Sequence, residues 1–142
     1  RKVPVIGLPS VVVPDAEDLP TEFTVCGDAR RGQFYAAAIR QGALSETPIP
    51  LMSSADLALR RDQSPGETWF TFDDKIPAGL TNVVLVKPSA ERLAAIAASL
   101  TDEARAACEA RMLEPVYLSE PFITQAKPKK ENGVKALQRA RA

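Results

Sequence analysis

The sequence predicts an α/β domain: a mixed sheet with helices packed on it. Three observations carry that expectation. Residues 23–26 and 33–40 are aromatic, β-branched and small apolar segments separated by a tight charged turn, which is the pattern of a hairpin. Residues 83–86 are a short run of Val and Leu, the pattern of a buried strand. Leu93, Ile96, Ala97 and Leu100 then recur at helical spacing and make one apolar stripe. A chain of 142 residues is long enough to bury about two thirds of its unfolded surface in one core.

Taken in order, Val11-Val12-Val13 is an apolar segment closed by Pro14. Residues 15–20 are acidic, end in proline and read as a connector. Phe23-Thr24-Val25-Cys26 is a strand, and Asp28-Ala29-Arg30-Arg31-Gly32 is the turn that follows it. In the second strand, Phe34, Ala36 and Ala38 alternate with Tyr35, Ala37 and Ile39. Both faces are apolar, so this strand is expected to be central and covered on both sides. Gln41-Gly42-Ala43 is the next turn, and residues 48–52 are a third strand, placed on an edge by their prolines.

Ser53 or Ser54 caps a short helix running to about Arg61, and residues 62–66 break it. Residues 67–72 alternate as a strand. Pro88-Ser89 opens the clearest helix, and Thr101-Asp102-Glu103 opens another, with carboxylates where the helix dipole favours them. That helix is expected to run to about Met112. Residues 115–118 are extended. Lys127, Lys129, Lys130, Lys135, Arg139 and Arg141 mark residues 122–142 as a basic, disordered tail.

Composition excludes several functions. Lys plus Arg equals Asp plus Glu at 18 each, which argues against a general nucleic-acid binder. The chain has no histidine, so Ser-His-Asp, Cys-His and HExxH schemes are out of its reach alone. Its two cysteines, Cys26 and Cys108, match no zinc spacing and read as buried free thiols of a reducing, cytoplasmic compartment. No run of about 20 apolar residues is present to span a bilayer, and no signal peptide is recognisable. The opening Lys2-Val3-Pro4-Val5-Ile6-Gly7 reads as the end of a strand already under way, as in a fragment or a chain with a processed or missing N-terminal part.

A meander followed by alternating α and β elements resembles the ribonuclease H-like unit of actin-like ATPase lobes. The stretch Val25-Cys26-Gly27-Asp28-Ala29-Arg30-Arg31-Gly32-Gln33-Phe34-Tyr35-Ala36-Ala37 resembles the signature of the TsaB (YeaZ-type) family, related to the Gcp-like glycoproteases. Pro88-Ser89-Ala90-Glu91-Arg92-Leu93-Ala94 resembles that family's Pro-x-Ala helix start, and Glu114-Pro115-Val116-Tyr117-Leu118 its closing Pro-x-Tyr-Leu segment. Ser119 stands where the family usually has Arg, and residues 68–74 lack its Gly-Asp-Gly turn. Residues 11–20 are interrupted by proline where the family tends to run a helix.

The resemblance covers about residues 3–118 and implies a division of the chain. Residues 1–22 would be the end of a first lobe and a connector, 23–121 the C-terminal ribonuclease H-like lobe, and 122–142 the tail. It also implies a role. TsaB-like bacterial proteins are non-catalytic subunits in making threonylcarbamoyladenosine in tRNA. They pair with a metal-dependent catalytic TsaD-like paralogue and a small TsaE-like ATPase, touch tRNA indirectly, and can homodimerise at full length. No cofactor is implied for this chain, and no membrane.

The candidate residues are Asp28, Arg30, Arg31, Gly32, Tyr35 and Tyr117. Asp28 sits where an actin-like ATPase lobe keeps the carboxylate that faces magnesium and phosphates. The Ala-Arg-Arg-Gly turn lacks the small hydroxyl and glycine residues whose amides cradle phosphate. A structural role is therefore favoured, with Asp28 bonding turn amides and pairing with Arg30 or Arg31. Arg30 and Arg31 could instead bind a partner carboxylate or RNA phosphate. Tyr35, Tyr117 and Trp69 are expected to pack. Two alternatives stay open: a nucleotide-binding kinase or ATPase lobe using Asp28, and a tRNA-binding module using Arg30, Arg31 and the tail.

Overall fold

The computed structural model describes residues 5–77 and 79–110. Expectations for residues 111–142, including Tyr117, the extended segment at 115–118, the tail and the last turn of the final helix, lie outside the described residues.

The protein is a mixed α/β domain. Its elements are β1 (Glu22–Arg30), β2 (Gln33–Arg40), β3 (Ala43–Leu44), β4 (Leu51–Met52), α1 (Ser54–Asp62), β5 (Thr68–Thr71), β6 (Val83–Leu85), α2 (Ala90–Ser99) and α3 (Asp102–Glu109). The sheet order is β3-β2-β1-β5-β6, with β4 also pairing β2. β1 and β2 are antiparallel, whereas β5 is parallel to β1 and β6 parallel to β5. The chain therefore makes an antiparallel meander and returns through α1 to the other side of β1.

Strand alternation divides two cores across this sheet. Phe23, Val25, Tyr35, Ala37, Ile39 and Phe70 point to one face, where Val12 and Val13 join them and Leu93 and Ile96 of α2 pack alongside. Phe23 and Phe70 meet edge to face at 5.5 Å, the geometry that ring quadrupoles favour. Cys26, Ala36, Trp69 and Val83 of β6 share the core on the other face with Leu57 of α1 and Leu80. β2 is central and apolar on both sides, as its composition demands.

The helices start where their hydroxyls predict. Ser53, Ser89 and Thr101 each accept an N–H of the first turn, from Asp56, Arg92 and Ala104 respectively. Three details differ from the sequence expectation. Residues 5–9 form no strand, and the apolar segment that follows begins as a 3-10 turn at Ser10–Val12. That turn is tied to the sheet by Ser89 N–H to Val13 C=O and Asp15 N–H to Lys87 C=O, both 2.8 Å.

The expected third strand at 48–52 shortens to residues 51–52, and residue 43, expected in a turn, begins a separate strand. Residues 43–44 and 51–52 pair separately with β2, and the prolines and the cis Thr47–Pro48 bond lie between or beside them. Proline has no N–H to give a ladder, so the edge cannot run unbroken. Finally, Cys108 is half-buried, unlike Cys26, because α3 buries none of its residues fully. No helix among the described residues is long and apolar enough to cross a membrane.

Candidate functional site

β1 does not stop at Cys26. It runs to Arg30, and only Arg31-Gly32 separate it from β2. The register slips between Asp28, which faces Phe34, and Arg30, which faces Gln33, leaving Ala29 as the extra residue of a bulge. Arg30, Arg31 and Gly32 have φ of 70°, 55° and 73°. Left-handed backbone costs an ordinary residue about 1–2 kcal/mol, so two consecutive arginines there must be held in place. Asp28 does part of that work. Its Oδ1 accepts the Arg30 N–H at 2.6 Å, closing a side-chain turn over the bulge.

The parallel pairing of β1 with β5 brings a second carboxylate to the same spot. The pairing ends at Cys26 opposite Thr71, where β5 stops and β1 runs on, so the residues after β5 lie beside Asp28. Asp73 Oδ2 accepts the Asp28 N–H at 2.7 Å, and the Asp73 N–H donates to Thr71 Oγ1 at 3.3 Å. The next residue, Asp74, pairs with Lys87 at 2.8 Å beyond the end of β6. Lys87 holds the Asp74 carboxyl below its usual range by hydrogen bond and by charge. That pair is exposed and contributes little to stability.

These residues border an open cleft of about 450 Å³. Asp28, Arg30 and Asp73 supply polar groups, Lys75 stands at its rim, and Phe34 and Ile76 give it apolar surface. Its place, outside the carboxyl ends of parallel strands, is where open α/β sheets bind ligands. Among the described residues no three His, Cys, Asp or Glu side chains are grouped to hold a metal ion.

The sequence found Asp28, Arg30, Arg31 and Gly32, and the structure places all four in this turn. It did not single out Asp73 or Asp74 as site residues. The available signal was an Asp pair directly after a strand expected to lie in the same sheet. Tyr35 is not in the cleft. It is 9 % exposed and belongs to the core on the opposite face. Burial, then the charges of Asp73 and Cys26, push its hydroxyl up to about 12. Trp69 is buried as expected.

No protein family, curated protein or solved structure matches the chain.

Proposed function

We propose that this chain is the C-terminal, ribonuclease H-like lobe of a TsaB-like accessory subunit, and that it acts as a non-catalytic, cytoplasmic scaffold for tRNA threonylcarbamoyladenosine formation. One observation carries the reading: the Asp28 carboxylate is engaged with the amide of its own turn, at Arg30. The carboxylate that a nucleotide-binding lobe would turn toward magnesium here braces a hairpin. The strand order supports the fold assignment, because an antiparallel meander followed by strands parallel to β1 is what the resemblance implies. The partners of the reading are a TsaD-like catalytic paralogue and a TsaE-like ATPase, with tRNA contacted indirectly and homodimerisation left to the full-length protein.

The test has two arms. The gene product carrying this lobe is immobilised and offered the histidine-bearing paralogue, and the lobe is titrated with Mg-ATP by calorimetry. Retention of the paralogue without heat from Mg-ATP is expected. Tight Mg-ATP binding that is lost in Asp28→Ala would assign the lobe to a kinase or ATPase instead. Failure to retain the paralogue removes the scaffold role. In the same reading the isolated chain does not restore threonylcarbamoyladenosine formation when added to the purified partner subunits.

A further inference from the structure

β6 is the last strand of the sheet, and among the described residues it has a strand neighbour, β5, on one side only. The Val86 N–H donates to the Thr71 carbonyl at 3.0 Å, so even-numbered residues aim their backbone groups at β5. Odd-numbered residues aim theirs outward. Just past the strand those outward groups are used: Asp15 N–H donates to Lys87 C=O, and Ser89 N–H to Val13 C=O. Residues 13–15 thus run antiparallel along the outer edge, with Pro14 opposite Pro88. The chain then turns away at Glu17 and Asp18, short of β6 itself. The outward N–H and C=O of Val83 and Leu85 have no partner among the described residues. The side chains beside them are apolar and half in solvent, Val84 at 48 % exposure and Leu85 at 51 %.

Such an edge is a template for another strand. Edges are commonly blunted by a lysine, a proline or an inward charge, and β6 contains none of these. Lys87 and Pro88 come only after it. The strand's own sequence says what fits. An antiparallel copy centred on Val84 sets Val84 against Val84 and Val83 against Leu85. Every pair is apolar, and no like charges face each other. The outward groups of Val83 on one copy and Leu85 on the other then satisfy each other. Asn82, at φ 56°, bends the incoming copy off the edge before it reaches Lys87 and residues 13–15. The chain has no net charge, so two copies approach without net repulsion.

We propose that the outer edge of β6 is a homodimer contact. A second copy of this chain adds its own β6 there across a two-fold axis and continues the sheet. The edge is short, so the contact is weak and depends on concentration. It rests on the strand edge and not on the scaffold reading.

Sedimentation velocity of the 142-residue chain across a wide concentration range tests it. A reversible monomer–dimer equilibrium is expected. Val84→Lys sets like charges on the two-fold axis and should raise the dimer dissociation constant about tenfold. Leu85→Pro removes an outward N–H but spares the ladder to β5, which uses even-numbered residues, and should weaken the dimer as well. Melting temperature checks that both variants fold. If Leu85→Pro does not, Val84→Lys and hydrogen exchange decide. The Val83 and Leu85 amides should be protected from exchange only where the dimer forms. A monomer at every concentration, or a dimer equally tight in Val84→Lys, overturns the contact. Protection of both amides in the monomer also overturns it and gives the edge to another segment of the chain.

Discussion

Gly27 and Tyr35 face each other across β1 and β2, and the tyrosine ring lies on the glycine. A Cβ built at Gly27 would stand 2.6 Å from Tyr35 Cε1 and 2.8 Å from its hydroxyl oxygen. A strand glycine that packs nothing itself here lets an aromatic ring close the end of the core next to the Asp28 turn.

That contact predicts a packing conflict. Gly27→Ala should destabilise the domain by about 1–3 kcal/mol, the usual cost of overpacking. Denaturant melts of Gly27→Ala, Tyr35→Ala and the double variant test it. The double variant should be less unstable than the sum of the two, because truncating the ring removes the collision. Strict additivity would show that the ring does not lie on the glycine.

The Asp28 turn should be sensitive at two points for separate reasons. Asp28→Ala removes the acceptor of the Arg30 N–H and should cost about 1 kcal/mol. Gly32→Ala places a side chain at φ 73° and should cost about 1 kcal/mol, although no atom lies within 4 Å of the new Cβ. Equilibrium urea unfolding of both measures the effects. An unchanged Gly32→Ala would contradict the left-handed turn.

Cys26 and Cys108 should react very differently. Burial, and then the charge of Asp73, push the Cys26 thiol up to about 12, while its backbone and Arg61 pull weakly the other way. A thiol-specific reagent at pH 8 should therefore label the half-buried Cys108 in the native state and reach Cys26 only after unfolding. Mass mapping of the labelled peptides checks this.

Cys26 and Tyr35, both buried acids, predict alkaline destabilisation. Unfolded, Cys26 and Tyr35 ionise near their ordinary values of 9.0 and 10.0, whereas in the fold both are held protonated to about 12. Above pH 9 the unfolded chain therefore binds fewer protons than the folded one, and stability falls with rising pH. Their contribution is fully present below pH 9 and is lost as pH rises through about 12. Melting temperatures measured from pH 8 to 11 should decline, and less steeply in Cys26→Ala after correction for its lower starting stability.

At the amino end of the parallel strands, Glu67 accepts from Arg40 and from Thr24 Oγ1, both at 2.8 Å. Glu67→Gln keeps the shape and removes the charge. It should cost about 1 kcal/mol, because Arg40 is partly exposed and solvent screens the pair. The cost should shrink in high salt; a salt-independent loss would point to packing instead.

The sequence by itself determined the elements that depend on local chemistry. Ser53, Ser89 and Thr101 marked their helix starts because a hydroxyl ahead of a helix satisfies an amide that has no partner within it. Alternating apolar residues placed β2 in the middle of the sheet, and Asp-Ala-Arg-Arg-Gly announced a turn. The extent of β1 and the broken edge were decided by pairing. A bulge at Ala29 let the strand continue past Asp28 to Arg30, and the prolines at 48 and 50 left the edge of β2 away from β1 only two short partners. The cleft was also decided in three dimensions. Asp28 and Asp73 stand 45 residues apart in sequence and meet only because β5 lies parallel to β1. Local propensity carries no information about which strands will be neighbours, and a site shared by two strands takes form only when they pair.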